Sequence, residues 1–500
     1  MRQLKAAALT ALIVIFTVSS LLGQGYLELE DKVERVTLDN GLRVLLLERH
    51  NAPVVSFVTW ANTGAANEVK GITGMAHLFE HMAFKGTRTI GTTNIEAELE
   101  AMKKEDETFG AWLEEYRKGR RADSTKLAKL KAEHEQAVQN ARQYVVSNEF
   151  GKIIQQEGGS GLNAGTSYDA TVYFYNLPSN KPELWMSLES DRFLNPVLRE
   201  FYTEKDVVME ERRMRTESQP VGMLVEEFLA AAYKAHPYGE PIVGHMSDLI
   251  TLRREEAREF YQLHYTPPNL VCAIVGDFDS KEIKKQLETY WGRIPKGPER
   301  EPVDTKEPPQ KGEKRINVEN QMQPIVLIGY HRPNRLDKDA AVFDAITDVL
   351  GQGRTSRLYK RLVKEDKIAI QATAISSLTY GKFPGLFIFL LVPASGHTNE
   401  ECEQALYEEI EKLQTEPLTA EELEAVKTRA KVNFLRGLDS NSGLARQLAA
   451  FETLNGDFHE MFRQTEQIED ITADDIQRVA KEYFKERNRT VAMIVNPDEE

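Results

Sequence analysis

The chain has little cysteine and no excess of positive charge. Only two cysteines occur in 500 residues, Cys272 in an apolar run and Cys402 among glutamates. We expect Cys272 to be buried and Cys402 to lie on a helix surface, so a disulfide framework is excluded. The formal net charge is -15 at pH 7, whereas a nucleic-acid-binding surface is basic. Nucleic acid is therefore not expected as a partner.

Long apolar runs are also absent, apart from one at the start of the sequence. A stretch from Ala6 to Leu22 follows Arg2 and Lys5 and is itself followed by small residues. This pattern is typical of a secretory signal peptide, which we assign to residues 1–25. The mature protein is then expected to be periplasmic or secreted. The alternative is an uncleaved anchor, in which case membrane contact would run through this segment alone.

The remaining sequence has an ordinary globular composition, 41% hydrophobic and 28% charged, and is long enough for two to four domains. Residues 295–314 are rich in lysine, proline and glutamate, which predicts a linker. A helix followed by an apolar strand at 270–275 recurs beyond the linker, where the matching strand is at 490–495. We therefore predict an α+β fold of two homologous domains, 26–294 and 315–500.

Within the first domain the pattern predicts a β-hairpin over residues 36–47, a strand over 54–60 and a helix over 94–102. Residues 103–150 are densely charged, with apolar side chains at steps of three and four, which predicts a helical hairpin insert. Such an insert could dock a partner or gate substrate. The alternative, which we favour, is a solvated insert tolerated at the surface.

The segment His77-Leu-Phe-Glu80-His81 carries the strongest chemical signal. Residues four apart on a helix share a face, so both imidazoles can reach one ion, with Glu80 beside them as a base. A histidine on an apolar helix face is usually a packing residue, but two histidines on one face with a carboxylate beside them favour a metal site. Zinc suits these ligands, and a catalytic zinc requires a third one.

The third ligand is sought in a second predicted helix, EKDVVMEERRM, which begins at Glu204. Glu204 and Glu211 are seven residues apart and share a face, so either could reach the metal. Another segment, LNAGTSYDATVYF from Leu162 to Phe174, has strand character. By itself Asn163 in this segment is best explained as a turn residue at a strand start.

These three segments together resemble the pitrilysin/insulinase family of inverted zinc metallopeptidases. The resemblance is to the branch of bacterial two-subunit enzymes and mitochondrial processing peptidases. It implies that Glu211 is the third ligand of one zinc ion per chain, with His77 and His81. It also implies that Glu204 holds one histidine through its free ring nitrogen. Glu80 would then be the general base of an endopeptidase.

The resemblance has two further implications. Each domain should be an antiparallel or mixed β-sheet backed by helices. In relatives the asparagine segment forms a strand edge onto which the peptide substrate adds, which would place Asn163 and Ala164 beside the scissile bond.

The second half departs from the single-chain members of that family. These carry an arginine and, seven positions later, a tyrosine that grip the substrate, where this chain has Val363 and Ile370. Its second half also lacks an HxxEH motif in the predicted helix 341–350. We therefore expect the zinc-bearing subunit of a heterodimer, whose metal-free homologous partner supplies the arginine and tyrosine. The alternative is an inactive scaffold or peptide-binding subunit of the same fold.

Overall fold

The computed structural model describes residues 29–379 and 381–497, so the predicted signal peptide lies outside the described residues. Among the helices of these two ranges, none combines the length and the apolar character needed to cross a membrane. The strands are β1 (Glu34–Thr37), β2 (Arg43–Glu48), β3 (Val54–Ala61), β4 (Ser160–Thr166), β5 (Thr171–Pro178), β6 (Leu270–Gly276), β7 (Lys314–Glu319), β8 (Ile325–Arg332), β9 (Ala369–Ile375), β10 (Gly385–Pro393) and β11 (Arg489–Val495).

The first half carries the helices α1 (Met75–Met82), α2 (Ile95–Tyr116), α3 (Ser124–Arg142), α4 (Glu149–Gln156), α5 (Pro182–Leu194), α6 (Phe201–Arg212), α7 (Pro220–Ala232), α8 (Met246–Thr251), α9 (Arg254–His264) and α10 (Ser280–Tyr290). The second half carries α11 (Ala340–Gly351), α12 (Asn399–Thr415), α13 (Ala420–Gly437), α14 (Asn441–Leu454), α15 (Glu460–Asp470) and α16 (Ala473–Tyr483). The predicted hairpin, strand and helices of the first half are confirmed at these positions.

The strands form two sheets with matching orders. The first is β1-β2-β6-β3-β5-β4 and the second is β7-β11-β8-β10-β9. Without β1 the two orders correspond strand for strand, and the pairs β2–β6 and β7–β11 are the parallel ones among antiparallel neighbours. The predicted α+β fold with a duplicated sheet is therefore confirmed. The predicted linker, 295–314, has no helix or strand until β7 begins.

The helices that cover the sheets are exchanged between the two halves. One face of the first sheet packs on the helices of its own half, whereas the other face, with Leu45 and Val271, is covered by Leu444 and Leu448 of α14. All seven residues of β6 are buried as a result. This explains why its sequence is a continuous apolar run.

The reciprocal contact covers the second sheet. From α7 of the first half, Leu224 and Phe228 pack with Leu327 and its neighbours on that sheet. Gly329 in β8 allows this close approach, because a Cβ there would lie 2.5 Å from the Phe228 ring. The division at the linker separates the strands of the two sheets but not the helices that cover them. The domain limits 26–294 and 315–500 stay a prediction.

The charged insert is a helical hairpin, as predicted, but its first arm begins earlier. The Asn94 side chain accepts the Ala97 amide at 3.2 Å and caps α2, which continues to Tyr116. The base of the insert is anchored, because Asp106 accepts hydrogen bonds from Tyr202 at 2.9 Å and Arg254 at 2.8 Å. The insert is therefore attached firmly to the rest of the first half.

The two cysteines are both buried and unbridged. This confirms the prediction for Cys272, whereas the surface position predicted for Cys402 is wrong. Cys402 lies on the inner face of α12, where its thiol contacts the Ile368 carbonyl at 3.4 Å. The glutamates near it in sequence lie on other faces of α12. Their charge therefore did not indicate where the Cys402 side chain points.

Arg199 fixes the loop that joins α1 to α2. Its guanidinium pairs with Glu98 at 2.8 Å, and both side chains are almost fully buried, at 1% and 0% exposure. The remaining donors bond the carbonyls of Lys85 at 2.8 Å, Thr87 at 2.7 Å and Ile90 at 2.9 Å. One cation thus satisfies a buried carboxylate and three carbonyls of the loop.

The substitution Arg199→Met should destabilise the fold by about 3–5 kcal/mol, because Glu98 would remain buried without a counter-ion. The matched control is Arg88→Met, which removes an exposed pair with Glu96 at 3.3 Å. The control should cost about 0–1 kcal/mol. Urea unfolding of both variants measures the difference. Equal losses would contradict the role assigned to Arg199.

Candidate active site

The helix α1 is held at its N-terminus by a carboxyl group from outside the helix. Glu68 accepts the amides of Gly74 at 2.8 Å and Ala76 at 2.7 Å. Gly74 has a φ of 87°, and a Cβ there would lie 2.6 Å from the Val243 carbonyl, so the turn requires glycine. Burial raises the pKa of Glu68 to about 8. The orientation of α1 thus depends on a buried capping group.

Three side chains converge beside this helix. The Nε2 atoms of His77 and His81 lie 3.5 and 3.1 Å from the two carboxylate oxygens of Glu211. The imidazole rings are 4.9 Å apart and nearly perpendicular, at 81°. The two histidines lie on one face of α1, as their spacing predicts, and α6 supplies the carboxylate. Glu211, and not Glu204, faces both Nε2 atoms.

This arrangement fits a metal ion. The three donor atoms lie within 4.8 Å of one another. Tetrahedral zinc with bonds near 2.0–2.1 Å separates its ligand atoms by about 3.3 Å, close to the distances between these donors. Two imidazoles and one carboxylate, with a fourth position open, form the ligand set of a catalytic zinc. His77, His81 and Glu211 are the residues that could hold it.

Glu204 lies behind His81, on the side away from Glu211. Its carboxylate is 3.5 Å from Nδ1 of His81 and 2.5 Å from the Lys85 amine, which also contacts Glu200 at 3.1 Å. The contact with Glu204 raises the pKa of His81. Burial alone would raise the pKa of Glu204, but its contacts with His81 and Lys85 lower it. Glu204 therefore fixes the His81 ring through its second nitrogen.

Lys85 and Glu200 were missed by the sequence analysis. Lys85 follows His81 by four residues but lies just beyond the end of α1, so helical spacing would place it near the same face only if the helix continued past Met82. Glu200 precedes Glu204 by four residues in the same way. The spacing alone does not indicate that the two segments are neighbours, which depends on the packing of α6 against α1.

His77 differs from His81 in its surroundings. Its side chain is 6% exposed, and burial lowers its pKa. Its Nδ1 atom is buried and has no hydrogen-bond partner within the described part of the chain. A neutral imidazole is the form that binds a metal, so burial prepares His77 for that role.

Glu80 lies on α1 between the two histidines and is partly exposed. Burial lowers the pKa of His77 and the negative charge of Glu80 opposes this, whereas the same charge adds to the rise in the pKa of His81 that the Glu204 contact causes. Its backbone carbonyl accepts the Ala83 amide at 3.2 Å, but its carboxylate forms neither a hydrogen bond nor an ion pair with another described residue. A free carboxylate therefore lies beside the three convergent donors.

Arg215 is a further residue that the sequence analysis missed. Its guanidinium lies 2.6 Å from the Glu211 oxygen that faces His77, although its side chain is 75% exposed. It belongs to a π-helical turn, Arg213–Glu217, that continues α6. Glu210 points elsewhere and pairs with Arg213 at 2.9 Å.

The predicted substrate residues lie on the free edge of the first sheet. Asn163 and Ala164 belong to β4, which pairs with β5 on one side only. The Asn163 side chain is exposed and accepts the Ala164 amide at 2.8 Å. The helix α1 lies against this strand, with the Thr166 hydroxyl 3.5 Å from the Ala76 carbonyl. The strand edge and the histidines are therefore neighbours.

The second half has no equivalent of these groups. Its predicted helix is confirmed as α11, and among the described residues His77, His81 and Glu211 form the one cluster suited to a metal. Val363 is half-buried against the second core, and Ile370 on β9 is 58% exposed. Neither side chain can donate a hydrogen bond to a substrate.

Comparison with known proteins agrees with this geometry. The family model described as Insulinase (Peptidase family M16) matches residues 43–109 and 135–245, and the one described as Peptidase M16 inactive domain matches 251–430. The unmatched residues between the first two ranges form the tip of the helical insert.

Individual relatives cover nearly the whole chain. The zinc protease PqqE of Helicobacter pylori is 29% identical over 498 residues, which is 97% of each protein. A solved protease structure from Helicobacter pylori has a TM-score of 0.77 and 27% identity, covering 93% of this chain and 99% of its own. The periplasmic protease PqqL of Escherichia coli has a TM-score of 0.67 and 20% identity, covering 93% of this chain but 48% of PqqL.

Since two models of one family together span most of the sequence, and the first includes both histidines and Glu211, the chain belongs to the M16 (insulinase) family of peptidases.

Proposed function

We propose that this protein is a zinc-dependent endopeptidase that hydrolyses peptides or unfolded segments. The observation that carries the proposal is the convergence of His77, His81 and Glu211, with the unpaired carboxylate of Glu80 beside them. The names of relatives as zinc proteases support it. We assign one zinc ion per chain to the three convergent side chains.

The residues have distinct roles in this proposal. A bound zinc supplies a Lewis acid and a water that loses its proton near neutral pH. Glu80 accepts that proton as general base and can return it to the leaving amine. Glu204 keeps His81 in the orientation in which Nε2 faces the metal. His77 is held in its neutral form by burial.

The free edge of β4 is the proposed place for the peptide. An extended segment can pair with the outward backbone groups of Asn163 and Ala164, which depends on the backbone and not on particular side chains. The Asn163 side chain already accepts one edge amide, that of Ala164, so a peptide carbonyl would replace an existing hydrogen bond. This pairing lays the peptide alongside the metal-binding helix.

Glu80→Gln should keep one zinc ion per chain and lower turnover by about 10²- to 10⁴-fold, because the base is lost while the ligands remain. The uncut peptide should still bind and slow amide hydrogen exchange along β4. Metal analysis, a quenched-fluorescence peptide assay and hydrogen-exchange mass spectrometry measure the three effects.

The control for this variant is His77→Ala, which should lose zinc and turnover together. Wild-type turnover by Glu80→Gln would remove Glu80 as the base. If amide hydrogen exchange in β4 does not change when the peptide binds, only the assignment of the peptide to the β4 edge is contradicted.

Glu204→Gln should weaken zinc binding by about 10- to 100-fold, since a carboxylate that orients a ligand contributes by that factor. The matched control is Glu210→Gln, on the same helix but 60% exposed and directed to Arg213. Competition with a chromophoric chelator gives both affinities. If the two variants bind zinc equally well, Glu204 has no orienting role.

We also infer that a separate, metal-free homologous subunit completes the enzyme. Val363 and Ile370 cannot grip a substrate or a developing oxyanion, so those donors must come from elsewhere. PqqL supports this view, because the present chain aligns with 48% of its length and PqqL thus has room for a second unit. The apolar N-terminal segment supports export to the periplasm or the medium.

The isolated chain should therefore turn over peptides weakly, and a metal-free homologue should co-purify with it from native cells and restore turnover. Mass spectrometry of the purified complex identifies the partner and also reads the mature N-terminus, which should lack the first 25 or so residues. Full turnover by the monomer would contradict the two-subunit proposal.

The second candidate is a peptide-binding or scaffold subunit without activity. The match of residues 251–430 to an inactive-domain model and the missing arginine and tyrosine favour it. Under this alternative, zinc and peptide would bind but no partner would restore turnover. The same measurements therefore separate the two functions.

A further inference from the structure

The second half contains a polar cavity of about 240 Å³ in the part of the chain that the structure describes. It lies between the end of β8, the first turn of α11 and the loop that joins β9 to β10. Its lining includes Arg332, Arg335, Asp344 and Ser376. We call it the arginine cavity.

Arg332 is buried and Arg335 is half-buried, and both differ from the other buried arginines of the described residues. In the first half each of these has a glutamate partner: Arg192 with Glu189, Arg199 with Glu98, Arg212 with Glu226 and Arg254 with Glu105. Arg332 and Arg335 form no ion pair with any described carboxylate. A cation that is largely removed from water without a counter-ion is costly, so this pair of arginines is suited to bind an anion from outside.

Both guanidiniums keep free donors. Arg332 is 7% exposed and bonds the carbonyls of Pro333 at 3.3 Å and Ser376 at 2.8 Å, but its Nη2 atom has no partner among the described residues. Arg335 lies 4.7 Å over the Phe451 ring and makes no side-chain hydrogen bond to a described residue. Burial lowers the pKa of both arginines, because the nearby charges do not compensate for it.

Three carboxylates act on these arginines from a longer distance. Asp344 acts on both, Asp337 on Arg332 and Asp169 on Arg335, each without forming an ion pair. Asp344 is exposed towards the cavity side of α11, and the Ser376 hydroxyl donates a hydrogen bond to its carboxylate. The cavity therefore contains charges of both signs, but no acceptor is in contact with the free guanidinium nitrogens.

The first turn of α11 adds backbone donors. Ala340 and Phe343 donate to the carbonyls of Asp337 and Asp339, at 3.0 and 3.1 Å. The amides of Ala341 and Val342 have no such partner outside the helix and, in a first turn, none within it. Ala341 lines the arginine cavity, so a helix start and two guanidiniums surround the same space.

The cavity is joined to the proposed substrate strand. The loop between β9 and β10 forms one wall of the cavity and is held by the Asp169 carboxylate. Asp169 accepts hydrogen bonds from the Lys382 amide at 3.2 Å and the Tyr238 hydroxyl at 2.7 Å. Asp169 lies in the turn between β4 and β5. The cavity is too small for a whole peptide, since sites for drug-sized ligands have about 300–1,000 Å³. It is large enough for one end of a peptide.

We propose that the arginine cavity binds the C-terminal carboxylate of the peptide that occupies the β4 edge. The inference rests on the proposed function and assigns to the metal-free half a role in holding substrate ends. The carboxylate would be the counter-ion that Arg332 and Arg335 lack, and Arg335, with no other polar contact, would be the main determinant.

The test compares two peptides of one sequence, with a free C-terminal carboxylate and with a C-terminal amide, on zinc-loaded Glu80→Gln protein. The acid should bind at least about tenfold more tightly, because hydrogen bonds to charged groups are the stronger ones. Arg335→Gln should abolish this preference, and Arg335→Lys should retain part of it. Fluorescence anisotropy measures all affinities.

The matched control is Arg446→Gln, since Arg446 also lies over an aromatic ring, Phe174 at 3.6 Å, without an ion pair. It should keep the full preference. Arg335→Gln should not unfold at a lower temperature than the parent, whereas a purely structural arginine would. A lower unfolding temperature with the preference intact would overturn the proposal.

Inorganic phosphate tests whether the arginine cavity binds a free anion instead of a peptide carboxylate. If phosphate stabilises the parent but not Arg335→Gln, while acid and amide peptides bind equally, the cavity takes a free anion and the peptide assignment is wrong. Equal binding of the two peptides leaves the proposed peptidase function intact. Binding of neither peptide would overturn both.

Discussion

The position of α6 against α1 is the constraint on which the site depends. It brings the carboxylates of Glu204 and Glu211 to opposite nitrogens of one imidazole, His81, at 3.5 and 3.1 Å. Two carboxylates so close would repel each other without cations, and Lys85 and Arg215 each contact one of them. The proposed divalent ion between the histidines would add further positive charge beside these carboxylates.

The local part of this site could be predicted from the sequence, because helical spacing fixes which side chains share a face. The grouping of His77, Glu80 and His81 could be predicted from their order along α1 alone. The choice between Glu204 and Glu211 could not be made this way, since both lie on one face of α6. Only the distance between the two helices decides it, and the family resemblance supplied that choice before the structure did.

Tertiary contacts explain what the sequence did not indicate. Glu68 holds the N-terminal end of α1, and Arg199 holds the loop that follows this helix. Neither residue belongs to a local sequence pattern that includes the histidines. Cys402 was misplaced for the same reason, because its burial depends on the sheet beneath α12. The exchange of α7 and α14 between the halves was also missed, although the continuous apolar run of β6 already indicated a strand covered on both faces.

The duplicated sheet allows the two halves to carry different chemistry on one framework. In the first half the helix after β3 presents two imidazoles, whereas in the second half the corresponding helix, α11, begins beside two unpaired guanidiniums. A buried unpaired arginine lowers stability, so a fold selected for stability alone would replace it with an apolar residue. Its presence is explained if an anion binds during function, and the docking of Asp169 on the wall of the cavity joins that event to the strand edge beside α1.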